Sequence, residues 1–490
     1  MKKAIATLFI IFSCYFSFSQ SFKDNYFPLR DYEPSKEFLK KVLSGYDSLR
    51  VAQTYTGHGQ KKEVKDVFKD TKKEIKELDT AGLLMRNDTI TKYLQKLVDK
   101  IQQKNSMLAG RKFTVFTYRT GEPNATCWGA GIILVNLDLI SKYSNEEELV
   151  STLCHEMSHD IIGHMVKNVE ERYAITQSAE FKKELKDIKD HEFGKFKKIE
   201  ALITKFMKKY TKSNRVRELE ADSLGLILYC NAGYPAYYAF EEMEKLDSVD
   251  NPAFINKIDY VKNFNTTVFP FKNAWLEEDE DETISGGNMA KEVPDSLKTH
   301  PDCPNRLIAL KRIAKNMKYN PAKPATHNNS VYTFYRMKSF FEILTYNQDE
   351  LNIGDAMYDV LQLSIMYPNN MYVKCSMVNC LYEIFASKTN HYMSQIVDMP
   401  DKSRNPSYNQ LLVFLHNINS DVAKNLMLTY YKQNVENKTD NAFGEYVVTL
   451  IRSINMTKKE QEKIVDEYKK KYNDKYYLSL LKRRFNQKKT

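Results

Sequence analysis

His155-Glu156-Met157-Ser158-His159 sets two imidazoles four residues apart, with a carboxylate beside the first. On a helix that spacing returns to the same face one turn further on, so both rings can offer a nitrogen to one zinc ion. Glu156 is too short to ligate from its position but is angled toward a water on the metal, the place of a general base. A catalytic zinc takes three protein ligands and keeps one position open. The third is sought in Arg217-Glu218-Leu219-Glu220-Ala221-Asp222, where Glu218 and Asp222 are again four apart and share a helix face. Glu218 reads as the third ligand. Asp222 reads as the acceptor for the outer nitrogen of a ligating histidine, holding its tautomer. Glu220 falls on another face and reads as a bystander or a surface charge; exchanging it with Glu218 would lose the pairing of ligand and orienter. His164 is set aside: an HExxHxxGxxH site needs its glycine and third histidine in another register than Gly163 and His164 occupy. On a continuing helix His164 turns off the ligand face, and it reads as structural.

These residues need elements to position them. Residues 80–103 carry Ile90, Tyr93, Leu94, Leu97 and Ile101 at helical spacing, an amphipathic helix with one buried stripe. Residues 112–119 alternate as a strand, and the apolar run 132–136 after Gly129-Ala130-Gly131 reads as a second. Ser144, with Glu147 three residues on, predicts a capping box opening the helix that carries the motif. Charged helical pattern continues through 165–217, followed by a helix over 214–230 that carries Glu218 and Asp222. The acidic stretch 277–283 and Ser285-Gly286-Gly287 read as a loop. Beyond Val331 only helical patterns appear. Residues 353–367 and 371–386, joined through Pro368-Asn369-Asn370, resemble a tetratricopeptide-like hairpin.

The chain has 490 residues, 42% of them apolar, enough for two domains, and a net charge of +10 with lysines and glutamates interleaved on helix faces. Neither an aromatic-and-basic platform nor a basic helix-turn-helix is present, which disfavours nucleic acid as a partner; attraction to an anionic membrane surface stays open. Lys2 and Lys3 ahead of the apolar stretch 4–18 read as a secretion signal over 1–19, with cleavage near Gln20. A lipid anchor on Cys14 is the less favoured alternative. No later run is long and apolar enough to span a bilayer. The chain is therefore expected to be exported, and soluble or tethered only by a lipid. Cys127, Cys154, Cys230, Cys303, Cys375 and Cys380 lack the dense spacing of a disulfide scaffold, and most are expected as buried thiols.

Taken together the motifs resemble the M48 family of zinc metallopeptidases. Asn124-Ala125 followed by Gly129-Ala130-Gly131-Ile132 looks like its strand motif, and His155 to His159 with Asp160 and His164 like its extended HExxH helix. Glu218 to Asp222 looks like its E-x-x-A-D element, and Thr299-His300-Pro301 with Arg306 like its S/T-H-P…R element. The resemblance covers about 80–320. It implies a mainly α (α+β) chain: a zincin-like domain with a small sheet over 20–325, then an all-helical, tetratricopeptide-like domain over 326–490. The layout is similar to the BepA-like periplasmic branch. Cys127 and Trp128 depart from the small or apolar residues usual between the asparagine and the glycines, so the strand's approach is expected to differ.

The implied activity is zinc-dependent endopeptidase action with one Zn2+ per chain held by His155, His159 and Glu218, and with Asp222 and Arg306 supporting the ligands. Unfolded envelope proteins would be the substrates, their backbone pairing with the strand carrying Ile132, Leu134 and Asn136. The competing class is a chaperone or assembly factor that holds clients, or outer-membrane assembly partners, through its helical domain with little turnover. His300 has two open roles: stabilising the oxyanion, or closing the open zinc position in a resting state. A His300→Ala variant separates them in a casein assay: lost turnover assigns catalysis, and a gain assigns a latch.

Overall fold

The protein was described from a computed structural model covering residues 22–29, 39–40, 42–44, 58–86, 88–190, 193–246, 251–278, 303–324, 329–401, 404–472 and 474–486. The secretion-signal segment 1–19, Cys14 and the Thr299-His300-Pro301 element lie outside the described residues. The chain is mainly helical with one small mixed sheet, and it divides into two compact units. One takes the described residues within 29–246 and 303–339. The other takes 22–28, 251–278 and 340–486, so two segments that precede the C-terminal helices in sequence group with them.

In the first unit, strands β1 (Leu84–Met85), β2 (Thr114–Tyr118), β3 (Ala125–Gly129) and β4 (Ile132–Asn136) form a sheet in the order β1-β2-β4-β3. β4 runs parallel to β2, Ile132 facing Thr114, and antiparallel to β3, Ala125 facing Val135. All five β4 residues are buried. This corrects the expectation that Ile132, Leu134 and Asn136 offer an edge to a substrate: both edges of β4 are taken, and the edge strand beside the motif helix is β3. An apolar β-branched run identifies a strand, but sheet order, which no local pattern carries, decides whether its edge is open.

Helix 89–104 begins nine residues later than the stripe suggested, because the Asp88 carboxylate accepts from the Ile90 and Thr91 amides and residues 84–85 are drawn into β1. It buries Ile90, Tyr93, Leu94, Leu97 and Ile101 as expected. The motif helix, Glu146–Ile162, starts one residue beyond the predicted box. Asn145 caps the Glu148 amide, and the buried Glu148 carboxylate takes the Ser144 amide in return. The helix that carries Glu218 is continuous over Lys195–Asn231.

The second unit contains the expected hairpin, Ile353–Met366 and Met371–Thr389, followed by Pro406–Asn417, Ser420–Asn434, Ala442–Arg452, Lys458–Lys471 and Lys475–Asn486. Segment 251–276 is fastened to these helices along its length. Asn256 and Gln362 exchange hydrogen bonds of 2.8 and 3.0 Å, and Phe264 packs on fully buried Phe414 with ring centroids 4.4 Å apart. Phe22 lies on Phe341, and the Met371 amide donates to the Asp24 carbonyl. Among the described residues no helix is long and apolar enough to cross a membrane, and the six described cysteines form no disulfide. Phe414→Ala should destabilise this unit by about 3–5 kcal/mol and release 251–276, read as a lower unfolding transition and new cleavage there under limited proteolysis.

Candidate metal centre

The motif helix buries residues 152–158, and the long helix Lys195–Asn231 lies against it. Glu218, Asp222 and Gly225 follow one face of that helix. A Cβ on Gly225 would stand 3.2 Å from both the Cα and the amide nitrogen of His155, so glycine lets the two backbones approach closely and any larger residue would push them apart. Sequence reading missed Gly225; the signal was its place three residues beyond Asp222 on the acidic face.

That approach gathers His155, His159 and Glu218. The two Nε2 atoms are 3.0 Å apart, and Glu218 sets Oε2 3.5 Å from that of His155 and Oε1 3.5 Å from that of His159. Ligand atoms around a tetrahedral zinc at bonds of about 2.0–2.1 Å stand about 3.3–3.4 Å apart. The two nitrogens and the carboxylate lie at the spacing of one face of such a polyhedron.

Both imidazoles are held in a defined tautomer. The Asp222 carboxylate only accepts, so His155 Nδ1–H donates to it at 2.9 Å and Nε2 turns its lone pair into the cluster. Asp222 is gripped in turn by Arg306, whose Nε and one Nη each donate at 2.7 Å; the other Nη stands 3.1 Å from Glu218. All of these groups are buried. Burial works against the charge on Asp222, but hydrogen bonds from Arg306 and then His155 hold its carboxyl below the usual range.

His159 is oriented differently. The motif helix stops at Ile162, Gly163 adopts φ +76°, and a new helix begins at His164. The turn swings buried His164 back, placing its Nδ1 2.9 Å from His159 Nδ1, while its Nε2 meets Glu220 at 3.0 Å. Glu220 accepts, so His164 carries its proton on Nε2 and receives the His159 Nδ1–H on the other nitrogen. The reading of His164 as structural assumes an unbroken helix, which Gly163 interrupts; Glu220, read as a bystander or a surface charge, is partly exposed and pairs with His164. Burial lowers the His164 pKa, and the hydrogen bond from His164 lowers that of Glu220.

Two lone pairs and a carboxylate therefore converge on one point. Burial disfavours a charged His155, yet Asp222 and Glu218 raise its pKa to about 10: the pocket calls for a positive charge. A divalent cation would displace that proton, so the donor set fits zinc. Glu156 is buried beside the cluster and accepts from the Cys127 amide at 2.7 Å. The register of β3 shifts between Cys127 and Gly129, and Trp128 packs on the core beneath the sheet. The departure noted at Cys127-Trp128 is thus a bulge that leaves an amide aimed at Glu156. Asp160, one residue past the motif, accepts from the Gly131 amide at 2.9 Å and ties the β3–β4 turn to the helix.

Residues 86–314 match peptidase family M48. Over 156 residues the chain is 25% identical to mitochondrial metalloendopeptidase OMA1 of Arabidopsis thaliana. That alignment takes in 31% of this chain and 30% of the relative's length.

Gly225→Val should force the two helices apart at a cost of about 1–3 kcal/mol. Bound zinc measured by atomic absorption should fall well below one per chain, with helical circular dichroism retained and Gly225→Ala intermediate.

Proposed function

We propose, on the match of residues 86–314 to peptidase family M48, that the protein is a zinc-dependent endopeptidase acting on unfolded polypeptides. The supporting observation is the convergence of His155 Nε2, His159 Nε2 and Glu218 within 3.5 Å of one another, with Glu156 alongside. A zinc ion bound there supplies a Lewis acid for the scissile carbonyl and an acidified water. The chain's own residues do the rest. Glu156 takes the proton from the attacking water and hands it to the departing amine. Its hydrogen bond to the Cys127 amide keeps the carboxylate beside the edge of β3. An extended substrate adding to that edge presents its backbone to Glu156, and main-chain pairing tolerates many sequences. Unfolded chains suit such a cleft because only they offer an unpaired strand.

Asp222 and His164 set the tautomers of the two ligating histidines, and Arg306 keeps Asp222 charged below the surface and reaches Glu218 at 3.1 Å. Export to the periplasm, inferred from Lys2, Lys3 and the apolar stretch after them, would make envelope proteins the substrates. Residues 340–486 would then hold clients.

Glu156→Gln should retain zinc and lower casein cleavage by about 10²–10⁴-fold, the scale of a lost general base. Cleavage at the wild-type rate would remove the mechanism. His164→Ala should weaken zinc retention against a chelator by about 10–100-fold. Unchanged retention would return His164 to a packing role.

A further inference from the structure

The helices after the motif form an arm whose outer surface the peptidase reading leaves unused. His164–Gln177, Ala179–Lys189 and the first half of Lys195–Asn231 share a small core of their own. Ile188, Leu202 and Phe206 are buried there, with Ile175, Phe181 and Leu185 packed around them. Lys205 stitches two of the helices through ion pairs to Glu180 and Glu184.

This core does not use up the apolar surface. Along the long helix, Phe196, Ile199, Leu202, Ile203 and Phe206 fall within an arc of about 120°. The neighbouring helix covers only Leu202 and Phe206. Phe196 stays 84% exposed and Ile203 54%, and Phe193, just ahead of the helix, is 82% exposed. The first turns of the helix are otherwise mainly basic: residues 193–206 contain four lysines against Glu200 alone, a net +3. Lys195, Lys197 and Lys198 are exposed and have no ion-pair partner among the described residues.

We propose that the tip of this arm, Phe193 and Phe196 with Ile199 and Ile203 behind them, is a docking surface for an anionic lipid bilayer. An amphipathic helix with aromatic residues on one face and lysines on the other lies in the plane of a membrane, its apolar side among the upper acyl chains. The lysines then face the headgroups, and their long stems bridge from the apolar side to the charge. Charge decides between a bilayer and a protein partner. Protein interfaces are depleted in lysine at their cores, whereas a mainly basic surround complements a negative lipid surface. Such docking would hold the peptidase unit at a membrane without a spanning helix.

The test is co-sedimentation of the full chain with vesicles, comparing chains identical at every other position. Wild type should bind vesicles of mixed phosphatidylglycerol and phosphatidylcholine, bind phosphatidylcholine alone far more weakly, and be released by salt. Phe193→Ser/Phe196→Ser and Lys197→Glu/Lys198→Glu should each lower that binding by more than about tenfold while leaving the unfolding transition and zinc content unchanged. Equal binding to the neutral vesicles overturns the proposal. So does undiminished binding by the phenylalanine variant. Self-association or capture of an unfolded protein that the same substitutions abolish, with no effect on vesicle binding, overturns it in favour of a protein occupant.

Discussion

Glu218 and Asp222 lie side by side on one helix face beneath the surface, with buried Glu156 close by. Carboxylates removed from water in this way are costly to keep ionised, and the surrounding structure exists to compensate for them. Arg306 answers first, through a two-pronged grip on Asp222 and a further contact to Glu218. His155 answers next, donating Nδ1–H to Asp222 and holding its proton to about pH 10 while no cation is bound. The remaining deficit of positive charge is concentrated where two imidazole lone pairs meet, and that deficit is what makes the cluster fit a divalent ion.

The arrangement depends on two helices touching at backbone distance, which Gly225 permits, and on a helix ending where it does. Gly163 breaks the motif helix four residues after its second histidine, and the reversal brings His164 onto His159. The two ligating histidines are consequently oriented by unlike partners. One rests on a buried carboxylate clamped by arginine; the other rests on a neutral imidazole backed by partly exposed Glu220. The arm that begins at His164 therefore has one end in the site, while its far end carries the exposed aromatic and basic surface.

Much of this was legible in the residues. Helical spacing alone put His155 with His159 and Glu218 with Asp222, and the motif order placed Arg306 with them. The buried stripe from Ile90 to Ile101, β4 and the hairpin 353–389 also followed from periodicity, because burial on one face imposes it. Boundaries shifted where a single side chain captured a free amide: Asp88 starts one helix late, and Asn145 moves the start of another by one residue.

Residue type and local spacing thus determined which atoms can bind a metal and which carboxylate can move a proton, since those are properties of one helical turn. The tertiary structure alone decided that β3 rather than β4 lies at the edge beside the site, because strand order arises from pairing between distant segments. It alone decided that His164 and Glu220 form a relay, because a left-handed residue redirects the chain and no periodicity crosses such a break. And it alone decided that Phe193 and Phe196 stay exposed: an apolar arc is written in the sequence, but how much of it is covered depends on the width of the helix packed against it.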